Sequence, residues 1–415
     1  MKKRWGRWLA VTLAWCLASP AMATNGHFPH GYGTKNKGMG GAGVALPQDA
    51  MASATNPAGL AYVGRRVDVG ADFIVPPVEY RIDGNAFGLD GSARSETDFV
   101  VCPHLGANWP IRERTALGVA FYGNGLMTDY PVAVFGALGS HGRTGLKFTQ
   151  VIMNSTVAVR PIEQVSIGIS QLFSYQEFRA RGLQAFGGLS SNANRLTDKG
   201  DDDVFGFGLR LGALGKFLDE RVAVGVSYQP RIYMRKFDKY AGLFAEHGDL
   251  DTPPMFTAGV AVQVLPDVTV VGDYLRINYD HIKSIGNPVS NTLQGTDLFG
   301  SDNGAGFGWN DIDVFKAGVQ YEVNPRWTLR AGWNHGENPI EDSEMAFNIL
   351  APAVVEDHLT FGATKRVGKS GELNIAYVHG FHKRESGQVP AAFGGGTASF
   401  SMSMHALEVS YGWEF

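Results

Sequence analysis

The sequence has 415 residues and a formal net charge of −4, with 36 Lys and Arg against 40 Asp and Glu, so it offers no basic stripe for a nucleic acid. Mean hydropathy is −0.09, and after the N-terminal segment no apolar run reaches the roughly eighteen residues of a membrane helix, which excludes a helical membrane protein. The 54 glycines are nearly double the usual share and the 18% charged residues fall below it, a balance that suits closely packed, tilted strands.

Lys2, Lys3, Arg4 and Arg7 form a basic start, Trp8 to Ala18 an apolar stretch, and Ala21-Met22-Ala23 a small-x-small cleavage site. Residues 1–23 therefore read as a secretory signal peptide, and the mature chain is expected to begin at Thr24. The bulky Trp15 before Cys16 fits lipoprotein cleavage badly. Cys102 is then the only remaining cysteine, which leaves no intrachain disulfide and assigns it to packing.

Residues 31–62 are rich in Gly, Ala and Asn, nearly free of β-branched residues, and lack the alternation that fills the rest of the chain. Ahead of a barrel, residues 24–64 read as a plug inside the lumen. Gly38, Gly40 and Gly43 satisfy G-x-G-x-x-G, but no apolar strand precedes them and Pro47 interrupts the helix that a dinucleotide site needs. Asn56-Pro57-Ala58 closes the segment, with a proline that fixes one backbone angle and an asparagine that can bond neighbouring backbone.

Over 65–415 the chain breaks into segments with period-two alternation, at 66–75, 98–109, 116–123, 148–160, 165–175, 204–211, 222–231, 256–265, 268–279, 309–321, 327–334, 356–366, 372–382 and 405–415. They predict an all-β transmembrane antiparallel barrel of about fourteen strands, the even number closure requires. Short Pro/Gly connections such as Pro110-Ile111-Arg112 and Asn324-Pro325-Arg326 read as periplasmic turns. Long ones near 76–96, 132–147, 179–203, 236–254, 283–308, 335–355 and 383–399 read as outer loops. Trp109, Tyr228, Tyr274, Trp309, Trp327, Trp333 and Trp413 suit interfacial girdles. In the last strand Leu407, Val409, Tyr411, Trp413 and Phe415 share one face. Such an ending resembles the signal read by the barrel-assembly machinery.

Two outer loops are unexpectedly apolar: Leu183, Phe186 and Leu189 in one, Tyr240, Leu243 and Phe244 in the other. They suit capture of a hydrophobic molecule, or packing that orders the loops. An enzyme would need a nucleophile and base on one surface; His104, with Asn108 and Asp98 on the inward parity, is the one candidate cluster, and a lumenal polar ladder is the commoner explanation because barrel interiors are polar. Asp201-Asp202-Asp203 could hold a divalent cation, although a charged loop end accounts for it; no metal or cofactor is expected.

Residues 38–43, Asp49-Ala50 and Asn56-Pro57-Ala58 together resemble the hatch of the FadL/OMPP1/TodX family, outer-membrane transporters of long-chain fatty acids and other hydrophobic compounds. Residues 328–332 followed by 337–340, and 124–130 after the third strand, extend the resemblance. It implies passive uptake in the outer membrane of a Gram-negative bacterium: loop capture, hatch rearrangement and lateral exit through a gap beside a kinked third strand, where Gly123 and Gly125 would supply irregular backbone. It also implies carboxylate capture by Arg179, Arg181 and Lys316, for each of which a lumenal salt bridge is the alternative reading, with Thr24 near the ligand. The expected partners are a long-chain fatty acid or similar molecule, outer-membrane lipid and lipopolysaccharide, and the expected state is a monomer. Aromatic hydrocarbons of the toluene type are the rival cargo; a barrel lipase and a structural or adhesive barrel are the rival classes.

Overall fold

Alternation along the chain closes into a barrel. The computed structural model describes residues 25–295 and 297–415, so the expected signal peptide and Thr24 lie outside the described residues. Fourteen antiparallel strands form a closed barrel. They are β1 (Arg66–Val75), β2 (Val100–Arg112), β3 (Thr115–Tyr130), β4 (Thr144–Ile162), β5 (Val165–Arg181), β6 (Asp202–Phe217) and β7 (Val222–Gln229). The second half is β8 (Met255–Leu265), β9 (Val268–Ile277), β10 (Ile312–Asn324), β11 (Trp327–Gly336), β12 (Asp357–Val367), β13 (Gly371–Gln388) and β14 (Thr397–Glu414). β1 completes the circle by pairing with β14 on one side and β2 on the other.

One residue in two faces outward. On β6 Phe205, Phe207, Leu209 and Leu211 are exposed while Val204 and Arg210 are buried; on β14 Leu407 and Trp413 point out while Ala406, Glu408 and Ser410 point in. An outward apolar band is what a bilayer requires of strands whose backbone groups are all paired within the barrel. Among the described residues no helix is long and apolar enough to cross a membrane.

Several strands run further at the long-loop end than alternation predicts. β3 continues to Tyr130, β4 begins at Thr144, and β13 and β14 reach Gln388 and Thr397. Beyond the hydrocarbon the outer face meets polar headgroups and water, so the apolar pattern fades while the hydrogen-bond ladder persists. The first long loop also carries an unexpected hairpin, Val78–Asp83 with Gly91–Arg94, which adds to β14 beyond its pairing with β1. Trp309 corrects the girdle expectation. It precedes β10 instead of lying on it, is 3% exposed, and donates its indole N–H to Asn348 at 2.7 Å inside the barrel.

Residues 25–64 fill the lumen with short turns only: α1 (Thr34–Lys37) and two 3-10 turns, Ala50–Ala54 and Pro57–Ala61. Asp49 caps the first 3-10 turn by accepting from the Met51 N–H, and Asn56 caps the second by accepting from Ala58, with Pro57 at the first helical position. Glycines on the wall let this segment come close. A Cβ on Gly212 would sit 2.0 Å from Asn56 Oδ1, and one on Gly168 would sit 2.4 Å from the Pro57 carbonyl carbon.

Candidate functional site

Two apolar cavities lie between the outer loops and the hatch. The outer one, about 540 Å³, is lined by Leu183, Phe186, Leu243 and Phe244 from the two apolar loops, with Phe299 and Phe347. The inner one, about 440 Å³, is lined by Phe148, Phe178, Phe307 and Trp309 and ends on His27 of the hatch. Leu146 and Phe307 line both, so the two share a wall. Apolar walls of this kind recover the hydration cost of an aliphatic chain or an arene.

His27 donates nothing ionic to that site. Burial pushes its imidazole down to about 3, because desolvation disfavours the charged form. Binding of an uncharged aromatic probe to the purified protein should therefore be flat between about pH 5 and pH 8, where an exposed His with a pKa near 6.5 would titrate. A midpoint in that range that His27→Gln removes would contradict a neutral His27, whereas one that persists belongs to Asp249, whose carboxyl is pushed up to about 6 by burial and by the neighbouring Asp251.

Below this point the hatch is held by ions on one side and by backbone bonds on the others. Lys35 pairs with Glu372 at 2.6 Å, and Lys37 pairs with Asp72 and with Glu408 Oε2 at 2.7 Å. All five side chains are nearly inaccessible. Burial alone would lower the pKa of the Lys37 ammonium, but the two carboxylates outweigh it and hold the group above its ordinary value. Thr34 donates to Glu408 at 2.8 Å, and Arg66 bridges Asp68 and Glu372 at 2.7 and 3.0 Å. On the opposite side the Gly43 and Val44 N–H groups donate to Asp273 at 2.7 and 3.0 Å. Asn56 Nδ2 donates to the carbonyls of Val44 at 2.9 Å and Ala213 at 3.1 Å, tying the hatch to itself and to β6. Ala58 is fully buried and its carbonyl accepts from Ser166 at 2.9 Å.

A seam runs beside the third strand. β3 keeps its ladder with β4 from Thr115 to Tyr130, whereas its ladder with β2 stops at Phe121 opposite Leu105. Further along, the Gly125 N–H donates to the carbonyl of His27 at 3.1 Å, so the hatch takes a bond that a neighbouring strand would otherwise make. The Glu96 N–H closes the top of the seam on the Asp129 carbonyl at 2.8 Å. The expected irregular backbone at Gly123 and Gly125 is thus corrected: β3 is unbroken, neither glycine has a positive φ, and what is interrupted is the pairing of β3 with β2 beyond Leu105. A cavity of about 340 Å³ lined by Gly33 and Lys37 of the hatch and by Cys102, Tyr122 and Gly123 of the wall lies against it.

Behind the N-terminal turn of the hatch is a more polar cavity of about 520 Å³, lined by Phe28, Tyr32, Arg210, Ser227, Gln229 and Lys316. Arg210 donates to the carbonyl of Ala54 and, at 2.7 Å, to Gln229. Among the described residues neither Arg210 nor Lys316 has a carboxylate within 4 Å, although Asp273 lies across the ladder from Lys316. Arg210 escaped the sequence reading; a lone Arg at an inward position among Phe207, Leu209 and Leu211 was the available signal.

Other expected residues fall elsewhere. Arg179 and Arg181 lie on the outward parity of β5, and Arg179 faces Asp201 at 3.5 Å. Leu189 packs on the apolar cluster. Tyr240 is fully buried against Phe178 and donates to the Gly200 carbonyl at 2.7 Å, so its contacts are those of loop packing. His104 points inward, 3.5 Å from Glu408, but Asn108 binds the end of the hatch through the Val63 and Gly64 carbonyls and Asp98 pairs with Arg94, so the three are not brought together. Asp201 faces Lys147 and Arg179 while Asp202 accepts from the Lys239 N–H.

Residues 14–407 match the family model described as outer membrane protein transport protein (OMPP1/FadL/TodX). None of the curated proteins matches the sequence. Among solved structures the chain is similar to a Pseudomonas aeruginosa FadL homologue, with a TM-score of 0.71, 15% identity, and 96% of this chain and 100% of that one covered. It is similar also to the P. putida toluene transporter TodX, with a TM-score of 0.68, 19% identity, and 93% and 99% covered. The Ralstonia pickettii toluene transporter TbuX follows at 0.65, 17% identity, and 93% and 99% covered. At such identities the structural likeness shows the fold alone; the family model, which spans nearly the whole chain, shows more. A closed barrel with a hatch, matched by that model from residue 14 to residue 407, makes this chain a member of the OMPP1/FadL/TodX family of outer-membrane transport proteins for hydrophobic compounds.

Proposed function

We propose that the chain takes up long-chain fatty acids or similar amphiphiles passively, by capture on the outer loops, displacement of hatch residues 25–33, and lateral exit between β2 and β3. The carrying observation is the order of the cavities. Two apolar spaces that share Leu146 and Phe307 lead to His27, and beyond Phe28 lies a space bearing Arg210 and Lys316. An aliphatic tail is accommodated by the first two spaces and a carboxylate by the third, where the planar guanidinium offers paired donors. Exit into the bilayer spares the tail any passage through water.

The inner cavity alone favours a second reading, uptake of a small arene, because its aromatic lining carries no unpaired cation; Asp251, its one acidic residue, is held by Arg231 at 2.5 Å. The two cargoes separate on one pair of variants. Arg210→Gln with Lys316→Gln should lower oleate uptake by about tenfold, in line with losing one or two charge-assisted bonds, and leave toluene uptake unchanged. Equal loss of both would sink the carboxylate assignment, and normal oleate uptake by assembled protein would favour the arene.

A further inference from the structure

The outward face of β6 carries a cationic patch that nothing in the lumen uses. Beyond β7 the short strand Tyr233–Met234 returns to β6, with Tyr233 opposite Phe207 and Met234 opposite Gly206. The next N–H, of Arg235, donates to the Phe205 carbonyl at 3.0 Å, and the guanidinium lies 4.3 Å from the centre of the Phe205 ring. Phe205 and Phe207 belong to the lipid-facing row, and Tyr233 is 69% exposed. Lys236 and Lys239 follow, both exposed. From Phe217 at the short-turn end, a dozen or so residues of tilted strand raise Phe205 about 30 Å, just past a hydrocarbon band of about 25 Å. The patch therefore lies at the headgroup level of the outer leaflet, with aromatic rings below it and cations above.

Several cations of this rim are matched by carboxylates, as Arg81 is by Asp83 at 2.6 Å, Arg143 by Glu96 at 2.5 Å and Lys383 by Glu356 at 2.9 Å. Arg235, Lys236 and Lys239 have none within 4 Å among the described residues. The two lysine ammonium groups instead donate to the carbonyls of Glu246 and Asp201, each at 2.5 Å, which leaves the charge itself unneutralised. Asp238, in the same stretch, turns to Arg195. Three cations clustered at headgroup depth without a direct ion pair, over rings that suit acyl chains, call for an anion anchored in the membrane.

We propose that this patch binds the phosphorylated headgroup of an outer-leaflet glycolipid, lipopolysaccharide in this membrane, with the phosphate on Arg235 and Lys236, Lys239 flanking, and an acyl chain against Tyr233 and Phe207. Such a lipid would brace the short return strand beside the apolar loop that follows it. The site is independent of what the lumen carries.

Native mass spectrometry of the full mature chain in a nonionic detergent tests it, with bisphosphorylated lipid A, dephosphorylated lipid A, phosphatidylglycerol and inorganic phosphate as probes. Bisphosphorylated lipid A should be retained about tenfold or more over its dephosphorylated form, as about three cations near an anionic surface predict. The variant Arg235→Gln/Lys236→Gln/Lys239→Gln should lose that preference, while Arg81→Gln, at an ion-paired position of the same rim, should keep it. Heat-modifiable migration shows that each variant is assembled, and Arg235→Lys alone should retain most of the binding. Equal retention of the two lipid A forms, undiminished retention by the triple variant, phosphatidylglycerol binding as well as lipid A, or displacement by inorganic phosphate at similar concentration would each overturn the assignment.

Discussion

Lys37→Met should release the hatch from the β1 and β14 wall without unfolding the barrel. The ammonium is buried between Asp72 and Glu408, and its removal leaves two inaccessible carboxylates with His104, 3.5 Å from Glu408, as the remaining basic neighbour. Breaking one side of a buried ion pair costs about 3–5 kcal/mol, because the stranded charge keeps its desolvation penalty. The barrel ladders do not depend on this pair, whereas α1 does. The cost should therefore appear as a raised population of displaced hatch, read as faster proteolysis within residues 25–64 and higher single-channel conductance to small ions. Removing the stranded charges as well, in Lys37→Met/Asp72→Leu/Glu408→Leu, should restore a tight hatch, since an apolar replacement of a buried ion pair is often neutral or stabilising. Wild-type conductance and proteolysis in Lys37→Met alone would mean that the backbone bonds from Asp273 and Asn56 suffice to hold the hatch.

The barrel was legible because lipid imposes a local rule: each spanning strand must show an apolar residue at every second position, as Leu407, Val409, Tyr411 and Trp413 do. The hatch was legible by contrast, since small residues without alternation have no place in a strand. The loop cavity was half legible, through apolar residues such as Phe186 and Phe244 where surface loops are ordinarily polar. The ionic latch was not legible. Lys35 meets Glu372 and Lys37 meets Glu408 only because barrel closure brings the last strands beside the first, and no spacing in the sequence encodes that. The same holds for Trp309, whose place inside the barrel is set by its loop, and for Arg179 and Arg181, whose outward parity follows from the register of β5 with β6. The seam was reached through the family resemblance; the register then located it in β2 and β3 rather than in a break of β3.

Lateral exit through that seam is the central claim, and Cys102 makes it testable in a reversible way. It is the one cysteine among the described residues, it lies on β2 where the ladder to β3 has ended, and a Cβ on Gly123 would sit 2.7 Å from its Sγ. In Gly123→Cys the two thiols would meet across the unpaired stretch of the seam, close enough for a disulfide with small adjustment of the two strands. The bond would staple β2 to β3 at mid-seam and leave the loops, both apolar cavities and the ionic latch untouched. Oleate uptake by cells carrying the oxidised variant should fall to about the level of cells without the protein, oleate binding to the purified protein should stay within about twofold, and reduction should restore uptake. Unchanged uptake by a fully cross-linked, correctly assembled barrel would contradict lateral exit and point to a passage straight through the hatch.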